Sequence, residues 1–105
     1  MDQQVVSKVF KALSDPMRLD ILSHFQKNML VPCGEIQADC PRSQPTVSHH
    51  LRTLVESGIL LEQKSGTQKS FSVNTELFER IGLNFTHLIK NVSTPNEPRN
   101  GTTNP

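Results

Sequence analysis

No stretch of this 105-residue chain approaches the roughly 20 apolar residues of a membrane span, and no basic-apolar-small leader opens it. The reading is a cytoplasmic protein with no membrane partner. Only two cysteines are present, Cys33 and Cys40. That is too few for the disulfide framework of a small secreted domain and suits a reducing compartment, where the Asn91-Val92-Ser93 sequon stays bare. No glycine loop is built to cradle phosphate and no nucleophile sits in a recognisable elbow. No enzyme is expected, and no cofactor. An excess of either charge is also missing: the net charge is +1, so nucleic-acid binding must be argued from where charges lie rather than from their sum.

Apolar residues are scarce at one end. They make up 34% of the chain, yet after Lys90 only Val92 remains. Residues 1–90 are therefore read as the folding unit, and 91–105, rich in proline and asparagine, as a disordered tail that folding does not need. A core this small gains from dimerisation.

Within the folding unit, Val5, Val6, Val9, Phe10 and Leu13 repeat on one helical face. Asp15 and Pro16 cap and start a second helix, whose apolar face is Met17, Ile21, Leu22 and Phe25 and whose end is read near Lys27-Asn28. Met29 to Pro32 is a connector, and Cys33 to Asp39 a short third helix anchored by Ile36. Pro41 stops it and Ser43 caps a fourth helix. There Val47, Leu51, Leu54 and Val55 form the buried face, and Gly58 is the stop. Strands at about Ile59–Lys64 and Lys69–Val73 flank a polar tip, Ser65 to Gln68. One final helix is predicted over Glu76–Lys90, its apolar side (Phe85 included) serving a dimer face. The fold class is mainly α with a small β-hairpin, in the order α-α-α-α-β-β-α.

A short helix, a tight turn through Cys40-Pro41-Arg42 and a longer helix with a polar face make a helix-turn-helix, whose second helix enters the major groove. Gln44 can read adenine with two bonds, and Arg52 can take guanine or a phosphate. Ser48 and His49 can donate or accept at base edges, and Thr46 offers a hydroxyl and a methyl. Free amides near Ser43 and Gln44 would suit a phosphate. Between Pro41 and Thr75, Arg42, Arg52, Lys64 and Lys69 outnumber Glu56 and Glu62 by two. The glycine-tipped hairpin beside the reading helix is placed as a wing would be.

Two segments carry a resemblance. Lys11-Ala12-Leu13-Ser14-Asp15-Pro16-Met17-Arg18-Leu19-Asp20-Ile21-Leu22 resembles the opening signature of the arsenic-repressor (ArsR) family. Ser43-Gln44-Pro45-Thr46-Val47-Ser48-His49-His50-Leu51-Arg52-Thr53-Leu54 resembles its recognition helix, with Val55 to Leu60 as the exit. The likeness covers about residues 4–90. It implies a winged helix-turn-helix homodimer, held by its first and last helices, that represses transcription at double-stranded operator DNA until an inducer or a thiol signal releases it. It also implies DNA contacts from Gln44, Thr46, Ser48, His49, His50 and Arg52, with Thr67, Gln68 or Lys69 on the wing. A protein-protein adaptor that keeps the fold without binding DNA is the alternative.

Many members hold a metal through Cys-Val-Cys at the third helix. Pro32, Cys33 and Gly34 fall over that motif here, with Cys33 on its middle residue, and Glu76 and His87 lack the companions of a second family site. Neither region supplies the ligands zinc wants, so no metal is expected. Cys33 and Cys40 are read first as a small apolar core residue and a turn residue, with a redox pair as the alternative. A straight helix would separate them by about 10.5 Å, more than the roughly 4.4–6.8 Å between the Cα atoms of a disulfide, unless the chain bends before Pro41.

Overall fold

The first helix, α1, runs Gln3–Leu13 and is opened by Asp2, whose carboxylate accepts the Gln4 N–H at 2.9 Å. Residues 1–90 of the chain are described in a computed structural model; the expected tail at 91–105 lies outside the described residues. A second carboxylate, Asp15, starts α2 (Pro16–Leu22) by accepting from the Met17 and Arg18 N–H groups at 2.8 and 3.4 Å. Burial works to raise the Asp15 pKa, but the Met17 N–H, the Arg18 charge and the Arg18 N–H leave it below the ordinary value.

Helix α2 is shorter than expected. It stops at Leu22, and the chain turns through Asn28, which has a φ of 64°. Phe25 still reaches the core, although it lies beyond the helix. The connector that follows holds a short strand, β1 (Val31–Pro32), that the sequence reading does not contain. Helix α3 spans Cys33–Asp39, as expected, and α4 spans Gln44–Glu56. Gly58, at φ 89°, ends α4: its N–H bonds to Val55 O and the Ile59 N–H to Leu54 O, the paired bonds of a Schellman cap.

Strands β2 (Leu60–Ser65) and β3 (Gln68–Val73) form the wing, and β1 adds to the other edge of β3 in the order β1-β3-β2, both pairings antiparallel. Ser65 pairs with Gln68, so the turn is only Gly66-Thr67. Gly66 has a φ of 63°, the left-handed conformation that a two-residue hairpin turn demands of its first residue in type II′ geometry. Val31, Leu60, Phe71 and Val73 face the core, and successive strand residues face opposite ways.

The largest difference from expectation lies at the end. In place of one helix over 76–90 there are two, α5 (Thr75–Arg80) and α6 (Phe85–Lys90). Gly82, at φ 82°, sits in a second Schellman cap, with its own N–H on Glu79 O and the Leu83 N–H on Phe78 O. Asn84 then caps α6 by accepting the His87 N–H at 2.9 Å. The break folds α6 back, and Phe85 meets Phe78 edge to face with ring centroids 5.3 Å apart. Phe85 is thus buried inside the protomer rather than on an exposed face. On α1 the apolar side is divided: Val9 and Ala12 are buried, while Val5 and Phe10 remain exposed.

Candidate nucleic-acid interface

Helix α4 is held by one face and presents the other. Val47, Leu51 and Leu54 are buried in the core, as their spacing predicts. Ser43 caps the helix by accepting the Thr46 N–H at 3.4 Å, and its Oγ lies 2.8 Å from Thr46 Oγ1. The Thr46 hydroxyl is therefore engaged locally. Gln44, His49 and Arg52 are exposed, and Thr46 and Ser48 are half-buried. Glutamine and arginine can each make two bonds to a base edge, so this is the side that can read a groove.

His50 does not belong with them. It is 8% exposed, and among the described residues it is the one buried side chain that is polar or charged. Its Nδ1 lies 3.2 Å from an Arg18 guanidinium nitrogen on α2. The resemblance alone implies a DNA contact for it. Yet His50 lies three residues after Val47 and four before Leu54, the steps of a single helical face, which is the signal that separates it from His49.

The wing brings Thr67, Gln68 and Lys69 into solvent. Its register adds Lys64, which the sequence reading counts only in the local charge balance. Lys64 pairs directly with Lys69 across the strands, so two cations stand side by side. The two-residue turn at Gly66-Thr67 extends the ladder to Ser65 and Gln68 and holds the lysine pair inside it. Lys69 Nζ also meets Glu62 Oε2 at 3.3 Å, an exposed ion pair of the kind worth about 0–1 kcal/mol. Ser48 and Arg52 of α4 line one cleft together with Glu62 and Lys69 of the wing, with Phe71 as part of its wall. Helix and hairpin thus open toward the same side.

Cys33 borders this cleft as well, half-buried at the start of α3, and accepts a bond from Gln37 Nε2 at 3.4 Å. Cys40 is buried beyond the other end of the same helix. Both thiols are free, and α3 runs from Cys33 to Asp39 between them. Burial pushes the Cys40 thiol pKa up, helped by Asp20 and Asp39 and opposed by Arg42. A thiol reagent at pH 8 should therefore label Cys33 at least about tenfold faster than Cys40. Two equal rates, assigned with the C33S and C40S variants, would contradict this placement. Among the described residues no three His, Cys, Asp or Glu side chains are grouped as a metal site requires.

Comparison with known proteins bears on the whole arrangement. A helix-turn-helix domain family matches residues 13–63. The arsenical resistance operon repressor of Staphylococcus xylosus is 36% identical over 90 residues, covering 80% of each chain. The transcriptional repressor SdpR of Bacillus subtilis is 32% identical, covering 70% of this chain and 81% of its own. Among solved structures, HlyU from Vibrio cholerae aligns with a TM-score of 0.69 at 20% identity, over 86% of this chain and 96% of that one. The homodimeric winged helix-turn-helix DNA-binding domain of a possible ArsR-family regulator from Mycobacterium bovis aligns at 0.67 and 24% identity, over 81% and 75%. At these identities the structural likenesses speak for the fold alone.

Proposed function

The chain belongs to the ArsR family, and from that membership we propose that it is a transcriptional repressor that binds double-stranded operator DNA as a homodimer in the cytoplasm. The observation that carries the reading is the shared cleft of Ser48, Arg52 and Lys69, which turns the polar face of α4 and the cationic face of the wing to one side. Gln44 and His49 read bases in the major groove, with Arg52 on guanine or phosphate and Ser48 and Thr46 on nearby acceptors. Lys64 and Lys69, with Thr67 and Gln68 at the tip, grip the neighbouring backbone.

The dimer reading draws on the exposed apolar half of α1. Val5 is 37% and Phe10 50% exposed, a poor arrangement for an isolated protomer and a good one for a second copy. Two-fold pairing would carry two α4 helices to successive major grooves, about 34–36 Å apart. Among the described residues no helix is long and apolar enough to cross a membrane.

The test is a fluorescence titration with DNA from upstream of the protein's own gene and with scrambled DNA, at three salt concentrations. The upstream DNA should bind at least about a thousandfold more tightly. On both, the logarithm of affinity should fall linearly with the logarithm of salt. Absence of binding at low salt would sink the reading and favour the adaptor.

A further inference from the structure

One cluster of charged groups lies beneath the reading face rather than on it. The Arg18 guanidinium touches three parts of the fold. Its Nε donates to Ala12 O at the end of α1 at 2.8 Å. One terminal nitrogen lies 3.7 Å from the Asp15 carboxylate at the start of α2. The same nitrogen reaches His50 Nδ1 on α4 at 3.2 Å. Arg18 is thus a joint between the α1–α2 corner and the middle of the reading helix. His50 lies directly after His49 and two residues before Arg52, both exposed. Any roll of α4 about this anchor would carry those two side chains with it.

The direction of the bond fixes the state of the ring. A guanidinium has donors and no acceptor, so Nδ1 must supply the lone pair and the imidazole proton must sit on Nε2. A second proton can enter only at Nδ1. It would abolish the bond and set an imidazolium against a guanidinium with little water between them.

We infer that His50 is a positioning residue for DNA reading, orienting the recognition helix through a hydrogen bond from Arg18 that exists only while its imidazole is neutral. This rests on the DNA-binding reading above. The groups that face His50 are Asp15, Arg18 and Asp20 from α2, Cys40 and Arg42 from the turn, and His49 from α4. Of these, Asp15 favours the imidazolium, while burial, Arg18 and His49 oppose it, and the outcome is a pKa below the ordinary 6.5. The sign follows. The brace is complete above the unfolded-state value and is lost as pH falls through the lower folded-state value, and operator affinity falls with it. Each dimer holds two such rings, so the loss can reach about a hundredfold per pH unit below that point.

The test compares the wild-type protein with H50N and H50L, titrating the operator at constant salt from pH 8 to pH 5. Asparagine places Oδ1 where Nδ1 stands and never titrates there; leucine fills the space and offers no acceptor. At pH 8 the H50N dimer should bind within about threefold of wild type, and H50L at least about tenfold more weakly. Toward pH 5 the wild type should lose about tenfold or more beyond any loss in H50N. Parallel pH profiles for wild type and H50N would overturn the inference while leaving DNA binding intact, even if H50L failed to fold. No operator binding by wild type at any pH would overturn the DNA-binding reading and this one with it.

Discussion

Replacing Phe78 with alanine should remove about 3–5 kcal/mol of folding stability. Phe78 is 1% exposed and holds Phe85 edge to face at 5.3 Å, and its carbonyl accepts the Leu83 N–H that closes the cap between α5 and α6. Truncation leaves a cavity that the backbone cannot close without moving α6. A domain of this size is stable by only about 5–15 kcal/mol in total, so the variant should unfold at a much lower urea concentration. Leucine at the same position keeps most of the volume and should cost under about 1.5 kcal/mol. Urea unfolding at fixed protein concentration checks both, and a loss below 1 kcal/mol for F78A would mean that α6 does not pack as described.

On DNA, Gln44→Ala and His49→Ala should weaken operator binding far more than binding to scrambled sequence. One lost base contact costs roughly 1–3 kcal/mol, and a dimer loses it in both half-sites, for about 2–6 kcal/mol in all. Lys64→Ala and Lys69→Ala should weaken both kinds of DNA alike and flatten the salt dependence by about one phosphate contact per protomer. Lys69 should give the smaller effect of the two, because it must leave Glu62 at 3.3 Å to meet a phosphate. Titrations at three salt concentrations separate the classes. An equal loss on operator and random DNA from Gln44→Ala would remove it from the base-reading set.

Much of this was legible in the residues. Asp15 before Pro16, Ser43 before the apolar face of α4, and Gly58 behind it are local signals that act through the nearest N–H and C=O groups, and the structure contains each. The boundary at Gly82 was equally local, with Asn84 ready as the next cap, but Phe85, Leu88 and Ile89 continue a helical spacing and mask the break. Strand β1 could not be read at all: two residues have no periodicity, and Val31 pairs with Phe71, forty positions away. His50 shows where a resemblance runs ahead of geometry. It lies in the motif beside His49 but on the buried side of the helix, and only its bond to Arg18, 32 residues distant, explains a histidine there.

The Gly66-Thr67 turn also limits how such a wing can change in length over evolution. Strand side chains alternate faces, so Lys64, Lys69 and Glu62 lie on the side of Phe71, turned toward α4. A single-residue insertion in β3 between Lys69 and Phe71 would carry Lys69 and the residues beyond it to the far side of the sheet, away from the cleft. Lengthening that keeps both cations where they are must come as matched additions of two residues to each strand, extending the tip by roughly 6–7 Å at a step. Relatives whose wings vary in this way should differ in jumps of four residues, or else carry a bulge that absorbs the odd one.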